Sequence, residues 1–585
     1  MIRNKRYMRK VNLAIPGLLL LSVVQVFGQV NKQETGLKRE VTLYNPYKPS
    51  LSVIKKMSFL PDMNDTVKVK PEFHYGVSAR PFQPEYAISP IKAAALLPDP
   101  LPKLYKSYIK AGFGNHMSPL AEISITNERS KKGAFGIYGR HYSTNDNIVL
   151  QNAKEVFGGL MDNDASVFGR KLFKQSTLEG SVDFTQKVRY AYGYDPLILD
   201  YNPSRKAIKQ NYDNIGAKIS YSSLNLDSAE FSYDFDIYYN YFHRTDYLFQ
   251  NNFGLDGIMA KSFKGFYVGA GLSFENYNNS DSIGLESEYI ASLSPFLKKK
   301  TDQWNFKLGF QALIDRNSKL HVYPDLELGF TIVPSYLSFF ATISGRMEKN
   351  EPLKIIAENP YLVSDQFPAF VPQGLLFRQP DTDHKLVINT GLKGNSGIGG
   401  NYLVSATYSI IENMLFYSNL VFPDSVTPRA MGNYFLPISD ESVKLLNIHA
   451  EMSGPLNDKL SYKWIANLYD YNTTETYAWN KPDWDGQLGL KYNLRDKIIA
   501  DMELIAIGKR KEIINGDVLS SQAGYTAVTT DMPVHFNMNI NAEYRYSKIL
   551  SFWARVNNIA IDRYFEWEYY PSQRFMFMLG FTYSL

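Results

Sequence analysis

Residues 534–546 alternate between polar and apolar side chains. Hydrogen-bonding and charged groups occupy every second position: His535, Asn537, Asn539, Asn541, Glu543 and Arg545. The positions between them are apolar or aromatic, as in Val534, Phe536 and Met538. Because successive side chains of a β-strand point to opposite faces, this segment has one polar and one apolar face. The polar face predicts one of two roles. It is either an inner wall bonded to water and neighbouring strands, or a surface for a solute or a docking segment.

Aromatic side chains form a second group with recognisable chemistry. They lie in polar stretches between the alternating segments: Trp479, Trp484, Tyr564, Trp567, Tyr569 and Tyr570. Aromatic rings stack on sugars and contribute much of the contact in protein interfaces. These six residues are therefore candidates for recognition of a ligand or partner. The alternative is that some of them belong to an aromatic girdle at a membrane surface.

Catalytic and metal-binding patterns are absent from the sequence. It contains neither a Gly-x-Ser-x-Gly elbow nor a His-Glu-x-x-His motif, and it has no cysteine. Its eight histidines are scattered: His74, His116, His141, His243, His321, His384, His449 and His535. We therefore expect no catalytic residue, no bound cofactor and no metal site.

Asp381 and Asp383 flank Thr382 and could contact a calcium ion, as could Asp62 and Asp65 in the segment Asp62-Met63-Asn64-Asp65. Calcium requires six to eight oxygen ligands, and each stretch supplies an incomplete set. The sequence therefore predicts a solvated loop at both positions.

Strand-like segments recur along most of the chain. From Leu104 to Leu585 we identify 22 segments with period-2 alternation, separated by turn residues. Because one hairpin can be split or merged in such a count, 18 or 20 strands are also compatible. The pattern predicts an all-β protein.

The last segment indicates which all-β architecture is present. Its alternate residues are Phe575, Phe577, Leu579, Phe581, Tyr583 and Leu585. In a soluble sheet, such an apolar strand at the chain terminus would form an unprotected edge. The alternative interpretation is a strand in the core of a β-sandwich. A membrane barrel has no edge, because its last strand pairs with its first. We therefore predict a transmembrane antiparallel β-barrel over residues 104–585, in which the polar face of 534–546 lines the lumen.

The N-terminus has the features of an export signal. Basic residues precede an apolar run from about Leu13 to Val26, and Gly28 offers a small residue for cleavage. We predict a signal peptide over residues 1–28. Residues 29–103 are rich in proline and lack sustained alternation, so we predict an extended segment that is periplasmic or inserted in the lumen.

Connection lengths predict the orientation of the barrel. Short turns, such as Asn457-Asp458 and Arg495-Asp496, alternate with long connections, such as 348–384 and 413–444. Outer-membrane barrels place short turns in the periplasm and long loops outside. We therefore predict an integral protein of a Gram-negative outer membrane, with both termini in the periplasm and the aromatic loop residues outside the cell.

Composition agrees with a barrel in contact with outer-membrane lipid. Aromatic residues make up 14% of the chain, with 42 tyrosines, and such residues collect at membrane interfaces. The net charge of +5 is spread over 585 residues, so it gives no indication of a nucleic-acid partner.

The C-terminal region resembles TonB-dependent receptors of the Bacteroidota type. The resemblance rests on Val556-Asn557-Asn558-Ile559, Tyr564, Trp567, Tyr570-Pro571 and the final alternating strand. It implies a 22-stranded barrel. Receptors of this family carry a plug of roughly 150 residues before the barrel, whereas 75 residues (29–103) precede the first strand here. The chain therefore resembles such a receptor without a full plug.

Three functions follow from this comparison. The first is a non-enzymatic barrel that serves as a subunit of an envelope transport or assembly complex, with an envelope protein as partner. The second is a passive or gated pore, or a receptor, for a small solute. The third, an outer-membrane enzyme, has no motif to support it.

Overall fold

The computed structural model describes most of the chain after residue 105. The described residues are 106–127, 132–198, 202–224, 231–245, 249–279, 287–363, 379–397, 399–421, 431–516, 526–559 and 564–584. They belong to a compact unit that spans Pro98–Leu585. The predicted signal peptide (1–28) and N-terminal segment (29–103) lie outside the described residues.

Twenty-two strands form one antiparallel sheet. They are β1 (Ser107–Gly114), β2 (Ser118–Thr126), β3 (Gly133–Thr144), β6 (Leu160–Leu172), β7 (Ser176–Tyr190), β8 (Lys209–Ser223), β9 (Phe231–Arg244), β10 (Phe249–Phe263), β11 (Phe266–Asn279), β12 (Glu288–Lys300), β13 (Trp304–Ile314), β14 (Leu320–Val333), β15 (Leu337–Glu348), β16 (Thr382–Asn395), β17 (Asn401–Glu412), β20 (Val443–Pro455), β21 (Leu460–Asn472), β22 (Trp484–Leu494), β23 (Ile498–Ile507), β26 (His535–Arg545), β27 (Leu550–Asn557) and β30 (Met576–Ser584). Each of these strands overlaps one of the 22 segments identified in the sequence. The predicted strand number is confirmed.

Among the described residues, eight further strands and two helices lie in the connections. They are β4 (Asn147–Val149), β5 (Glu155–Phe157), β18 (Met414–Val421), β19 (Met431–Asp440), β24 (Arg510–Ile514), β25 (Val528–Met532), β28 (Phe565–Trp567), β29 (Tyr570–Pro571), α1 (Arg205–Ile208) and α2 (Pro352–Glu358). Within the described residues, no helix is long and apolar enough to cross a membrane.

The sheet closes on itself, which confirms the predicted barrel. Every sheet strand pairs with its neighbours along the chain, and β30 pairs with β1 through a register that includes Gly112↔Gly580. Closure satisfies the backbone N–H and C=O groups that an open edge would leave unpaired.

Apolar side chains cover the outside of the barrel. In β30 the exposed residues alternate: Phe577 is 42% exposed, Leu579 is 58% exposed and Phe581 is 42% exposed. The opposite face carries ionic pairs between neighbouring strands, such as Lys218–Asp236 at 2.9 Å. The barrel is therefore apolar outside and polar inside, as the alternation of the sequence predicts.

The two ends of the barrel differ in the length of their connections. At one end the strands are joined by short turns, for example residues 264–265 between β10 and β11. At the other end they are joined mostly by long connections, for example residues 349–381 between β15 and β16. The exceptions at this end are the short connections at residues 115–117, 245–248 and 315–319. The N-terminal end of β1 and the C-terminal end of β30 both lie at the short-turn end.

Candidate functional site

The described residues of the long connections pack together and form a cap at the long-connection end. We define the cap as the described residues of the connections 145–159, 191–208, 349–381, 413–442, 473–483, 508–534 and 558–575. Two of its parts arise almost opposite each other. Connection 191–208 joins β7 to β8, and connection 413–442 joins β17 to β20. Eight barrel strands lie between these pairs on one side and ten on the other.

Backbone hydrogen bonds join these opposite parts of the cap. The N–H of Asp195 donates to the carbonyl of Met431 at 2.7 Å. The side-chain amide of Asn433 donates to the carbonyl of Ala191 at 3.4 Å. Because the bonded residues start from opposite walls, the described part of the cap crosses the mouth of the barrel.

Three tyrosines from three connections form the centre of the cap. Tyr361 and Tyr570 stack with ring centroids 3.7 Å apart, and Tyr192 meets Tyr570 edge-on at 4.9 Å. Tyr570 is completely buried. Its hydroxyl donates to the carbonyl of Asn433 at 2.5 Å, and the hydroxyl of Tyr192 donates to the carbonyl of Pro571 at 2.9 Å. Aromatic packing and hydroxyl hydrogen bonds thus link the same loops.

The residues that follow α2 form hydrogen bonds both to the barrel wall and to the rest of the cap. The guanidinium of Arg244 in β9 donates to the carbonyl of Val363 at 3.1 Å. On the other side, the N–H of Val363 donates to the carbonyl of Phe435 at 3.0 Å, and the N–H of Phe435 donates to the carbonyl of Tyr361 at 2.9 Å. Connection 349–381 is therefore tied both to the barrel and to β19.

A four-stranded sheet forms another part of the cap. Its order is β19-β18-β24-β25, and β18 runs parallel to β24 through Ser418↔Ile513. An apolar core lies against this sheet and contains Phe416, Trp479 and Ile513. Strands from two different connections thus join into one unit.

Glu512 of β24 is a buried carboxyl group within this sheet. The side-chain amide of Asn480 donates to one of its oxygens, while the other has no hydrogen-bond partner among the described residues. Burial raises the pKa of Glu512 well above its usual value, although the positive charge of Arg510 opposes this effect. The guanidinium of Arg510 donates to the carbonyls of Phe565 and Glu566 at 2.6 and 2.9 Å.

An ion pair anchors the base of connection 349–381. Arg316 contacts Asp381 at 2.9 Å and Glu288 at 3.1 Å, and the Arg316 side chain is 9% exposed. Asp383 is also buried and accepts a hydrogen bond from Tyr323 at 2.9 Å. The predicted solvated loop at Asp381 and Asp383 is therefore wrong, because tertiary contacts bury both carboxylates. Burial raises the pKa of Asp381, and Arg316 opposes that shift.

Comparisons with known proteins concern the fold. No family model and no curated protein matches the sequence. Similar solved structures include a variant of the ferric enterobactin receptor PfeA of Pseudomonas aeruginosa, at 12% identity and a TM-score of 0.57, covering 82% of this chain and 80% of that chain. The pyoverdine outer membrane receptor FpvA of the same organism, bound to pyoverdine, is 11% identical to this chain with a TM-score of 0.58. The match covers 83% of this chain and 79% of that chain. The barrel has the fold of these receptors.

The copper transporter OprC shares this receptor-barrel fold as well. It is 10% identical to this chain, with a TM-score of 0.57, and the match covers 83% of this chain and 81% of that one. Identities of 10–12% establish a common architecture and leave the ligand of this chain to be proposed.

The predicted lumen-lining residues lie on the face of β26 opposite Phe536. The Asn539 amide donates to Glu503 at 3.2 Å, and Arg555 donates to Asn541 at 2.9 Å. The remaining four, His535, Asn537, Glu543 and Arg545, include an ion pair between Glu543 and Arg545 at 3.3 Å. His535 lies at the cap end, where its ring stacks on Tyr564 with centroids 3.6 Å apart. These contacts bond much of this face to neighbouring strands, whereas the buried side-chain oxygen of Asn537 has no hydrogen-bond partner among the described residues. A role of this face in solute passage stays a prediction.

Most of the predicted recognition aromatics pack inside the cap. Trp479 is 2% exposed, Tyr569 is 8% exposed and Tyr570 is fully buried. Trp567 meets Tyr417 edge-on, with ring centroids 5.2 Å apart. Tyr564 stacks on His535, as described above, and Trp484 begins β22. These rings hold the loops together in this structure, and ligand recognition by them stays a prediction.

The sequence analysis missed Tyr192 and Tyr361, the other two rings at the centre of the cap. Both lie in apolar runs inside long connections, Ala191-Tyr192-Gly193-Tyr194 and Tyr361-Leu362-Val363. Such runs indicate burial where a loop would otherwise be polar, and this signal was available. No group of metal-binding side chains is present among the described residues.

Proposed function

We propose that this protein is an integral outer-membrane barrel of the receptor type, which acts in transport without enzymatic activity. The observation that carries this proposal is a closed, outwardly apolar barrel whose mouth is crossed by a packed cap. The cap serves as a gate, so that passage through the barrel requires the loops to separate.

The dimensions of the apolar surface support membrane insertion. In β9 the outward residues run from Phe231 to Tyr241, which is ten residue steps. Strands that rise about 3.3 Å per residue and tilt by about 40° give this row a height of about 25 Å. This is the height of the apolar band on outer-membrane barrels.

The orientation belongs to the same proposal. The cap faces outside the cell, and the short turns and both termini face the periplasm. Residues 1–28 are removed as a signal peptide, and residues 29–103 stay in the periplasm or enter the lumen in place of a full plug. The C-terminal motifs support a receptor of the Bacteroidota type.

Two more specific roles fit a capped barrel. As a subunit of an envelope transport or assembly complex, the barrel would bind an envelope protein, and the cap would present a continuous platform. As a gated pore or receptor, it would admit a small solute when the cap opens. The cross-mouth bonds between Asp195 and Met431 favour a gated pore over a passive one, because they hold opposite loops together.

Conductance in a planar lipid bilayer tests the proposal. The natural sequence has no cysteine, so the pair Asp195→Cys and Met431→Cys introduces one disulfide between opposite sides of the mouth. Each single variant serves as a control. The same measurements on a chain without residues 29–103 show whether that segment also blocks the lumen.

Rare openings that disappear on oxidation and return on reduction would support a gated transporter. Large, steady conductance in the oxidised double variant would contradict the gate. Silence of every form, including the shortened chain, would leave the envelope-complex subunit as the function, and co-purification from cross-linked cells would then identify the partner.

A further inference from the structure

A cavity of about 240 Å³ lies between the barrel wall and the cap. Its wall is formed by β7, β8 and β9, and its opposite side is formed by α2. The cavity therefore lies inside the mouth, next to the chain that Arg244 and Phe435 hold in place.

The barrel side of the cavity is polar and positively charged. It presents Lys187, Arg189 and the side-chain amide of Asn214. Arg189 is paired with Asp162 at 2.7 Å. Lys187 is exposed and has no ion-pair partner among the described residues. The side-chain oxygen of Asn214 is buried and has no hydrogen-bond partner there.

The nearest carboxylates leave the charge of Lys187 uncompensated. The Asp162 carboxylate directly across the strand pair is already bound to Arg189. Asp213 also lines the cavity, but its carboxylate accepts hydrogen bonds from Gln186 at 2.8 Å and Asn211 at 2.7 Å. Gln186 directly precedes Lys187 in β7, so this carboxylate is bonded on the face of the sheet opposite Lys187. A bound anion would therefore meet an available ammonium group.

The cap side of the cavity is apolar. Leu353, Ile356 and Ala357 of α2 line it, and Phe242 of β9 adds an aromatic ring. Ile356 is 5% exposed and belongs to the cap core, so this surface is fixed by packing. A ligand that fills the cavity would thus bury an apolar body against α2 while its charge faced β7.

We propose that this cavity binds a small organic anion, a carboxylate, sulfonate or phosphate attached to an apolar or aromatic group. Lys187 binds the anionic group, and α2 covers the apolar part. The inference rests on the proposed transport function, for which it names the class of solute. A hydrogen bond to a charged group is among the stronger polar interactions in proteins.

Calorimetric titration of the full chain in lipid nanodiscs tests the site. Naphthalene-1-sulfonate is the anionic probe, naphthalene-1-sulfonamide is its neutral counterpart, and empty nanodiscs provide the blank. We expect the sulfonate to bind at least tenfold more tightly than the sulfonamide, because only the sulfonate can form a charge-assisted bond with Lys187.

Three variants separate charge from shape. Lys187→Gln should weaken sulfonate binding about tenfold and leave sulfonamide binding unchanged. Lys218→Gln is the matched control, because Lys218 also lies on the inner wall but is paired with Asp236, and it should change neither. Ala357→Trp should abolish binding of both probes, because the exposed Ala357 side chain borders the cavity and an indole there fills it.

Equal affinities for the two probes, or equal effects of Lys187→Gln and Lys218→Gln, would overturn this inference. Binding is measured at equilibrium and does not depend on passage through the barrel. Cap-controlled conductance without selective sulfonate binding would therefore refute the cavity alone. Selective binding without conductance would refute the gate and leave the cavity as a ligand site.

Discussion

The tyrosines at the centre of the cap combine two kinds of contact in one side chain. Their rings pack in the apolar core, while their hydroxyls reach carbonyl or carboxylate groups of other loops. The hydroxyl of Tyr417 in β18, for example, donates to Glu358 of α2 at 3.0 Å. Phenylalanine would supply the packing alone, so tyrosine adds directional bonds that fix which loops meet.

Tyr570→Ala tests the importance of this centre. Removing a fully buried aromatic side chain costs about 3–5 kcal/mol, and here the loss falls on the cap. We expect the cap connections to be cleaved much faster in limited proteolysis while the barrel stays folded. Tyr477→Ala is the control, because Tyr477 is a cap tyrosine that is 41% exposed. Equal cleavage rates in the two variants would contradict a central role for Tyr570.

Glu512 predicts a pH dependence of cap stability. Its pKa is raised in the folded state, so the uncharged form is favoured and the stabilisation is complete below the unfolded pKa of about 4.5. This stabilisation is lost as the pH rises towards the folded pKa. Hydrogen exchange of β24 should therefore speed up as the pH rises above about 4.5, after correction for the intrinsic pH effect.

Glu512→Gln provides the comparison for this pH dependence. The amide cannot ionise, so exchange of β24, after the same correction, should depend less on pH and be slower at neutral pH. Glu543→Gln is the control, because Glu543 lies on barrel strand β26, away from the cap sheet. An unchanged pH profile in Glu512→Gln would show that another group controls the stability of the cap.

At the scale of elements, the pairing of β1 with β30 depends on two glycines. Gly112 and Gly580 face each other across the seam, and the Trp553 side chain of β27 lies over both. A Cβ atom at Gly580 would lie 2.3 Å from the Trp553 ring and 2.2 Å from the carbonyl oxygen of Ala111. Trp553 is 8% exposed, so the ring has little space to move.

Gly580→Ala should therefore weaken closure of the barrel. Overpacking of this kind costs about 1–3 kcal/mol. On an SDS gel the folded barrel migrates as a compact band that disappears on heating. We expect this band to disappear at a lower temperature for the variant than for the natural chain. Gly489→Ala in β22 is the control, because a Cβ there meets its nearest neighbour, the carbonyl oxygen of Lys463, at 3.8 Å. Equal melting of both variants would contradict the steric argument.

The barrel strands could be predicted from the sequence, whereas the cap could not. Each barrel strand carries its own period-2 signal, as in Val534–Tyr546, and the signal repeats 22 times. Cap strand β18, by contrast, is buried along most of its length, so it has no alternating pattern to detect. Its partner β24 comes from another connection about a hundred residues later. Only the closed barrel brings the two together.

The site was predictable only in its composition. The sequence identified Trp479 and Tyr570 as aromatic residues in polar loops. Without the fold, however, the sequence does not show whether such a ring is exposed or buried. The charged cavity wall was missed for a different reason. Lys187 and Arg189 occupy alternate positions of β7, which in a barrel is ordinary for an inner wall. What distinguishes them is α2, which crosses from connection 349–381 to cover them.

At the scale of the whole molecule, the outward surface determines where the protein can reside. Leu328 lies near the middle of β14 and is 50% exposed. Leu328→Arg should lower the folded fraction in lipid vesicles, because arginine on the lipid face near the bilayer midplane costs about 2–4 kcal/mol. Thr342→Arg is the control, since Thr342 of the neighbouring strand β15 pairs with Glu327 of β14 on the inner face of the barrel. Equal folding yields would contradict the proposed lipid-facing surface.

The cap also has a consequence for the order of folding. Barrel hairpins join strands that are neighbours in sequence, but the bond from Tyr192 to Pro571 spans 379 positions and the bond from Asn433 to Ala191 spans 242. Contacts between such distant positions form late, after closer ones have reduced the entropy of joining them. The aromatic centre is incomplete until the connection between β27 and β30 arrives. The mouth is therefore sealed late in folding, together with the seam between β1 and β30, whose paired residues Gly112 and Gly580 lie still farther apart in sequence.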